Sequence, residues 1–401
     1  MIPQPTDILI SGGGVAGLAA AAAFGTAGFS VICVDPTPPV MSADADGADL
    51  RTTAFLQPSI AVLRAAGLWT RLEPFAAPLQ IMRIIDAGGP QAVPRLIKDF
   101  DAADISKLPF GWNLPNWLLR REMVGRLAEL PNVNFRPGIS TTRLMTRTDH
   151  ALVSLSDGTR VSTRLLIAAD GRNSAMREAL GISVKTTRYG QKALAFAVTH
   201  PQPHANVSTE IHRSGGPFTL VPLPDRDGQH ASAVVWMETG PEVLRLAELS
   251  PAAFEAAMNE RSCQILGPLT LASRRSVWPI ITQIAARMSG ERTALMAEAA
   301  HVLPPIGAQG LNMSLADLAT LLDLATANPV DLGSATMLDA YHNRRHRDIQ
   351  TRITGVDALN RASMLGGQAL RNLRAGALQT LYSVEPLRKT LMRKGLGLQP
   401  T

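Results

Sequence analysis

The spacing of apolar and polar positions predicts strands that alternate with helices near both ends of the chain. Asp7–Ile10 and Phe29–Val34 predict buried strands, and an alanine-rich helix lies between them. Further along, Arg160–Ala169 predicts a long strand, and a helix is expected from about Leu311 to Ala325. Apolar strands separated by helices are typical of a parallel sheet that has helices on its faces.

Between these regions the pattern changes to period-two strands joined by short turns, which indicates an inserted antiparallel sheet. Its strands are predicted at Leu79–Asp86, Leu194–Thr199, Val207–His212, Pro217–Val221 and Ala231–Met237, with two more near Arg275–Ile284. Helices are predicted at Gln57–Ala66, Arg120–Leu130, Ala335–Leu365 and in parts of Gln368–Lys394. The expected fold class is α/β (α+β), with a Rossmann-like domain, an inserted antiparallel β-sheet domain for the substrate and C-terminal helices.

The predicted boundaries divide the Rossmann-like domain into residues 1–75, 101–185 and 285–330. The inserted sheet takes residues 76–100 and 186–284, and residues 331–401 form the helical segment.

Glycines follow the first strand at the spacing G-x-G-x-x-G. Gly12 permits a tight turn, Gly14 lets backbone approach a pyrophosphate, and Gly17 allows helix and strand to pack closely. The helix begins at about Val15, so its free amides face the phosphates. Asp35 ends the second strand, 18 residues past Gly17, where an acid can accept hydrogen bonds from a ribose. The pattern predicts dinucleotide binding; the alternative is an ordinary glycine turn in a parallel sheet.

Charge changes this picture only toward the C-terminal end. The net charge is +6, yet residues 341–401 hold 11 Lys and Arg against 3 Asp and Glu, a balance of +8 that leaves −2 for the rest. No nucleic-acid recognition motif accompanies this basic segment, so we expect no nucleic-acid partner. Cys33 and Cys263 offer neither a disulfide framework nor a metal site. We find no secretory signal or transmembrane helix, and expect a cytoplasmic protein.

Two further motifs follow the glycines: Asp170-Gly171-x-x-Ser174-x-x-Arg177 and the segment Ala297–Asn312. With these three motifs the chain resembles the class A flavoprotein aromatic hydroxylases, which have the para-hydroxybenzoate hydroxylase fold. Within that class it is most similar to the ubiquinone-biosynthesis hydroxylases, which act on polyprenylphenols. The similarity extends to Asp49-x-Arg51 and to Tyr341-x-x-x-Arg345.

The resemblance implies that FAD is the cofactor and that residues of all three motifs hold it. The ADP half is expected at Gly12, Gly14, Val15, Ala16, Gly17 and Asp35. The pyrophosphate and ribityl groups are expected near Arg51, Asp170, Gly171 and Glu298. Arg121, at the start of a predicted helix, is expected at the adenosine or ribityl side. The flavin ring is expected beside Pro304, Pro305 and Gly307, with its pyrimidine edge at the helix-start amides of Gly310, Leu311 and Asn312. No catalytic base is identified, and His301 is interpreted as structural.

Three of these assignments have alternatives. Arg51, expected also at the cleft for a reduced nicotinamide, would otherwise form a surface ion pair with Asp49. Arg121 would otherwise lie on a solvated helix face. At Ala297-Glu298 the resembled family usually has Gly-Asp. If Glu298 does not hold the ribityl chain, its side chain would turn away and backbone groups would hold that chain.

The resemblance implies an aromatic-ring monooxygenase. Transiently docked NAD(P)H, or electrons supplied by a reductase, would reduce the flavin. The reduced flavin would react with molecular oxygen and transfer one oxygen atom to a phenol ring through a flavin hydroperoxide. The alternatives are a hydroxylase of another phenolic substrate, a flavin reductase or dehydrogenase of the same fold, and a non-enzymatic assembly partner.

Apolar and basic residues between Gln368 and Lys394 recur at helical spacing and predict an amphipathic helix. They are Leu370, Leu373, Ala377, Leu381 and Val384, with Arg371, Arg374, Arg388, Lys389, Arg393 and Lys394. Such a helix can rest on an anionic bilayer, where a polyprenylphenol resides, at the inner face of the membrane. The alternative is that it packs on the catalytic domain or on another ubiquinone-biosynthesis protein.

Overall fold

A computed structural model describes residues 2–89, 91–364 and 368–397 of the chain. The elements of the first third contribute strands to all three sheets. In order they are β1 (Gln4–Ser11), α1 (Val15–Thr26), β2 (Val31–Asp35), β3 (Thr52–Leu56), α2 (Gln57–Ala65), α3 (Trp69–Leu72), β4 (Ala77–Leu79), β5 (Ile81–Asp86), β6 (Leu96–Asp101), β7 (Gly111–Pro115), α4 (Asn116–Ala128) and β8 (Val133–Pro137).

The remaining elements complete these sheets and end in helices. They are β9 (Thr141–Thr146), β10 (Ala151–Leu155), β11 (Arg160–Ala168), α5 (Ala175–Ala179), β12 (Val184–His200), β13 (Val207–His212), β14 (Pro217–Arg226), β15 (Gln229–Thr239), α6 (Gly240–Glu248), α7 (Pro251–Arg261), β16 (Thr270–Leu271), β17 (Ser276–Ala285), β18 (Ser289–Gly290), β19 (Thr293–Leu295), β20 (His301–Val302), α8 (Gln309–Ala327), α9 (Ala335–Met364), α10 (Gln368–Ser383) and α11 (Glu385–Leu396).

The first sheet has the strand order β18-β19-β11-β1-β2-β8, with β10 and β9 added beside β11. β1 lies parallel to both β2 and β11, so its Ile8, Leu9 and Ile10 are fully buried. Strands covered on both faces need such continuous apolar runs. The alanines of α1 bring that helix close to the sheet, and Leu18–Gly25 are all buried there.

The second sheet has the order β20-β17-β12-β15-β14-β13-β5-β6 and is mostly antiparallel. β5 and β6 come from an early part of the chain, and β5 pairs in parallel with β13. A small third sheet, β3-β7-β4, contacts β14 of the second sheet through β4 and β7. The predicted fold class is confirmed, whereas the domain boundaries stay a prediction.

Several predicted elements differ in extent from those observed. The two strands expected near Arg275–Ile284 are one strand, β17, because it pairs along the length of β12. The strand expected at Leu79–Asp86 is divided at Gln80 between two different sheets. Helix α4 begins at Asn116, four residues before the predicted start, and directly follows Pro115, whose backbone is extended at the N-cap position.

The C-terminal helices pack on the catalytic body. Tyr382 of α10 stacks edge-on against Phe100 of β6, with ring centroids 5.5 Å apart. Met392 and Leu396 of α11 are buried in a cluster with Leu56. The side chains of Leu370 and Arg374 lie outside the described residues. Among the helices that the structure describes, none has the length and apolar character needed to cross a membrane.

Candidate flavin site and substrate cavity

A single cavity of about 1990 Å³ connects the glycine loop, the face of the second sheet and the C-terminal helices. Pockets for drug-sized molecules usually measure about 300–1,000 Å³, so this one has room for more than one ligand. Of the predicted site residues, the cavity is lined by Gly12, Gly14, Val15, Ala16, Asp35, Arg51, Asp170, Gly171, Glu298, Pro305, Gly307, Gly310 and Leu311.

The glycine loop has the close contacts that its spacing predicts. Gly12 has a φ of +108°, and a Cβ there would lie 2.3 Å from the carbonyl oxygen of Ala169. A Cβ on Gly17 would lie 1.8 Å from the carbonyl oxygen of Gly12, so this glycine joins helix to strand and does not line the cavity. Gly14 differs, because a Cβ there would meet no atom within 4 Å and would project into open space.

Asp35 shapes the same loop. Its Oδ2 accepts a hydrogen bond from the Gly13 amide at 2.6 Å, and its Oδ1 accepts one from the Thr37 amide at 2.8 Å. The carboxylate therefore holds the loop in place while it faces the cavity. Each oxygen keeps acceptor capacity for a ribose hydroxyl.

Asp170 follows β11 at the edge of the first sheet and carries an unused acceptor. Its Oδ2 accepts from the Met176 amide at 3.2 Å, whereas its buried Oδ1 has no partner among the described residues. Burial raises the pKa of this carboxyl group, against the lowering effect of the nearby Ser174 hydroxyl and the Met176 amide. An unpartnered buried carboxylate oxygen that faces a cavity favours a ligand that donates a hydrogen bond.

Arg51 is fixed on two sides. It makes a two-pronged contact with Asp49, at 2.8 and 2.7 Å, and its guanidinium lies 4.0 Å from the ring centre of Trp278. Burial alone would raise the pKa of Asp49, but the hydrogen bonds and charge of Arg51 outweigh it and lower that pKa. The predicted ion pair is present, and Arg51 lines the cavity as well.

Arg121 does not face the cavity. Its Nε donates to Glu122 at 2.9 Å, its guanidinium lies near Phe75 and Trp117, and its side chain is 41% exposed. Arg120 lines the cavity instead, with its Nη2 4.0 Å from Asp49. The physical reason for this correction is helical periodicity: Asn116 and Arg120 are one turn apart on the face of α4 that lines the cavity, and Arg121 is turned off that face.

Ala297 and Glu298 form a short 3₁₀ turn after β19. Ala297 has a φ of +56°, a left-handed conformation that the glycine usual in the resembled family adopts without strain. The Glu298 side chain is exposed to the cavity and hydrogen-bonds to none of the described residues. Its carboxylate is thus free to accept a hydrogen bond from a ribityl hydroxyl.

A buried ion-pair network supports this turn from behind, and sequence reasoning missed it. His301 Nε2 donates to Asp317 Oδ2 at 2.6 Å, and Arg345 Nε donates to Asp317 Oδ1 at 2.7 Å. The Ala297 amide also donates to Asp317, at 3.3 Å. His301 is therefore tied to Asp317 inside the core rather than placed as a free base. The only signal for this network in the sequence was the motif Tyr341-x-x-x-Arg345, which contains one of its members, Arg345.

The start of α8 presents backbone amides to the cavity at Gly310 and Leu311. Asn312 has a different role, because its side chain is fully used inside the protein. Its Oδ1 accepts from the Leu56 amide at 2.8 Å and from Ser59 at 2.6 Å, and its Nδ2 donates to two carbonyl oxygens. Pro304 is buried behind the wall that Pro305 and Gly307 form.

These residues fit FAD by three independent features. The helix N-terminus behind Gly14 offers open space for a pyrophosphate. Asp170 Oδ1 and the Glu298 carboxylate are acceptors without protein partners in the described structure. The amides at the start of α8 can stabilise negative charge on a reduced ring.

Comparison with known proteins also indicates an FAD-binding protein. A model of the "FAD binding domain" family matches residues 5–355. Ubiquinone hydroxylase UbiL of Rhodospirillum rubrum is 32% identical over 98% of this chain and 89% of its own length. The 3-demethoxyubiquinol 3-hydroxylase of Escherichia coli is 26% identical over 99% of this chain and all of its own. The crystal structure of p-nitrophenol 4-monooxygenase PnpA from Pseudomonas putida superposes with a TM-score of 0.80 over the full length of both chains, at 18% identity.

The chain therefore belongs to the FAD binding domain family, and its predicted resemblance to the class A flavoprotein aromatic hydroxylases is confirmed. It is an FAD-dependent aromatic monooxygenase.

Proposed function

We propose that this protein hydroxylates the aromatic ring of a polyprenylphenol in ubiquinone biosynthesis, using FAD, NAD(P)H as transient reductant and molecular oxygen. The observation that carries the proposal is the continuity of the cavity. The residues that fit FAD open directly into a compartment between the second sheet and the C-terminal helices.

The walls of this compartment are mainly apolar. From the sheet side they include Met82 and Phe100, and from the helices Leu378, Leu381 and Leu391. Two helix residues that also line the cavity reach its mouth, since Leu373 is 67% exposed and Leu391 is 46% exposed. A long hydrocarbon chain attached to a ring would cover these leucines, whereas a small phenol would leave them in water.

The protein's own residues would bind, orient and exclude water. FAD, when bound, would supply the chemistry that activates oxygen. Arg51 and Arg120 place two cations at the cavity, which suits the phosphates of NAD(P)H. The sheet and α9–α11 would keep water from the ring that is hydroxylated.

A second apolar patch lies outside the cavity lining at the junction of α10 and α11. Val384 is 44% exposed and Leu387 is 40% exposed, and neither lines the cavity. Arg393 is close by in sequence, near the end of α11, while Lys394 beside it lines the cavity. Each basic group near an anionic bilayer contributes about 1 kcal/mol, so the patch supports peripheral docking at the cytoplasmic membrane face.

The deciding experiment is deletion of this protein from its cell, with quinone intermediates identified by mass spectrometry. Accumulation of an under-hydroxylated polyprenylphenol, reversed by the wild-type protein and not by a Gly14→Val variant, is the expected result. Normal ubiquinone with no precursor, in a cell without a second hydroxylase, would favour another phenolic substrate. Substrate turnover without oxygen uptake would favour the reductase or dehydrogenase.

Membrane docking is tested by flotation with vesicles containing anionic lipid. Leu387→Glu should reduce the floated fraction severalfold, while Leu244→Glu, an equally exposed leucine on α6, serves as the control. Equal flotation of both variants and wild type would remove the patch as an anchor and favour contact with another ubiquinone-biosynthesis protein.

A further inference from the structure

The floor of the cavity carries a polar pair on strand β13. Side chains alternate across a strand, so Ser208, Glu210 and His212 share the face that lines the cavity. Thr209 and Ile211 point to the opposite, buried face. Glu210 and His212 therefore stand in the cavity wall that also carries the apolar compartment.

The contact with Glu210 orients the imidazole of His212. His212 Nε2 lies 2.7 Å from Glu210 Oε1, and the two side chains are 15% and 11% exposed. With its proton on Nε2, the imidazole donates to Glu210 and keeps a lone pair on Nδ1. Nδ1 is buried and has no partner in the parts of the chain that the structure describes.

The charged groups packed around His212 are themselves occupied. Asp86 is in register with it on β5 and pairs with Arg95 at 2.5 Å. From α10, Arg371 donates to the carbonyl oxygen of Gly88 at 3.5 Å. On the other face of the sheet, Arg261 donates to the carbonyl oxygen of Ile211 at 3.1 Å.

We propose that His212 accepts the proton of the substrate's phenolic hydroxyl and that Glu210 positions its imidazole and stabilises the charge it gains. The proposal rests on a phenolic substrate, as in the proposed function. The phenol O–H bond breaks, its electron pair stays on the oxygen, and the proton forms a bond to His212 Nδ1. The resulting imidazolium lies between a phenolate and the Glu210 carboxylate.

This arrangement follows the logic of a base oriented by a carboxylate. A phenolate ring is richer in electrons than a phenol ring and reacts faster with an electrophilic oxygen. The sequence motifs identified no such base.

The test uses the FAD-loaded enzyme without reductant and 4-nitrophenol as the probe, because only its phenolate absorbs strongly in the visible range. Difference spectra against the same enzyme without probe give the apparent pKa of the bound phenol. His212→Asn should raise that apparent pKa by about one unit, which is a tenfold loss of bound phenolate at fixed pH. Glu210→Gln should change it in the same direction while its FAD content is retained.

The matched control is His230→Asn, which removes a partly exposed histidine 3.0 Å from Asp225 and outside the cavity. It should titrate as wild type. The proposal is overturned if His212→Asn or Glu210→Gln leaves the apparent pKa unchanged, or if wild type does not bind the probe. If His212→Asn fails to load FAD, Glu210→Gln decides alone. None of these outcomes depends on a prenyl chain, so the deletion experiment can fail while this assignment stands.

Discussion

The imidazole of His301 donates a hydrogen bond of 2.6 Å to the carboxylate of Asp317, and both side chains are shielded from solvent. Burial alone would raise the pKa of Asp317, but the charges of His301 and Arg345 lower it. The pair fixes the turn that carries Ala297 and Glu298, and so connects core packing with the flavin site.

Replacing Asp317 by Ala should lower the free energy of unfolding by about 3–5 kcal/mol, because it removes the buried carboxylate that His301 and Arg345 share. Arg345 then keeps only its ion pair with the partly exposed Asp348. Denaturant unfolding measures this loss. Asp339, on α9, forms an exposed ion pair with Arg287. Asp339→Ala removes this pair and should lower the free energy of unfolding by less than about 1 kcal/mol. Similar losses for the two variants would contradict a structural role for the buried network.

Two glycines of the loop should respond differently to the same change. Gly17→Ala places a Cβ 1.8 Å from a backbone oxygen, so it should destabilise even the FAD-free protein. Gly14→Ala meets no protein atom and should leave the FAD-free protein stable, yet lower its FAD content. Thermal unfolding and released flavin report these effects separately. Full flavin content in Gly14→Val would refute pyrophosphate binding at this position.

Glu298 should contribute to FAD affinity through its carboxylate. Glu298→Ala should weaken binding by about 1.5–3 kcal/mol, the range for a hydrogen bond to a charged group. Glu298→Asp restores the acid usual in the resembled family and should bind FAD at least as well as the Ala variant. Fluorescence titration of the FAD-free protein gives the affinities. Equal affinity for wild type and Glu298→Ala would mean that backbone groups hold the ribityl chain.

FAD affinity should fall in acid through Asp170. Burial raises the pKa of this group in the FAD-free protein above 3.8, and a hydroxyl that donates to Oδ1 stabilises the ionised form. Binding therefore favours the carboxylate, and affinity is lost as pH falls through the raised pKa. Titrations between about pH 7 and pH 4 should show a smaller pH dependence for Asp170→Asn. An identical slope in wild type and variant would exclude this carboxylate as an acceptor.

Ala308 should be a site where glycine stabilises. It precedes α8 with a φ of +56°, a conformation that costs an L-residue roughly 1–2 kcal/mol. Glycine relieves this strain but has greater conformational entropy in the unfolded chain, which offsets part of the stabilisation. Ala308→Gly should therefore raise the free energy of unfolding by about 0.5–1 kcal/mol. Ala316→Gly, within the same helix, should instead cost about 1 kcal/mol. Unfolding of the FAD-free protein measures both, and a loss at Ala308 would contradict the strain.

The sequence by itself determined the nucleotide-binding core. The strand β1, the glycines at 12, 14 and 17, and Asp35 lie within about thirty residues, and their spacing encodes a turn, a helix start and a strand end directly. Short-range geometry of this kind depends on backbone sterics and hydrogen bonding, which residue types reveal. The strand β13 was predicted with its observed bounds for the same reason.

Tertiary structure decided which side chains meet. The packing of α4 places Arg120 in the cavity lining, together with Asn116 one turn earlier, whereas Arg121 lies outside it. Asp317 reaches Arg345 across 28 residues, and β5 pairs with β13 across more than a hundred, so no local pattern carries these contacts. The C-terminal helices show most plainly what a sequence pattern cannot predict. An amphipathic face has the same spacing whether it covers a bilayer or a protein, and only the folded chain showed α10 and α11 covering the cavity.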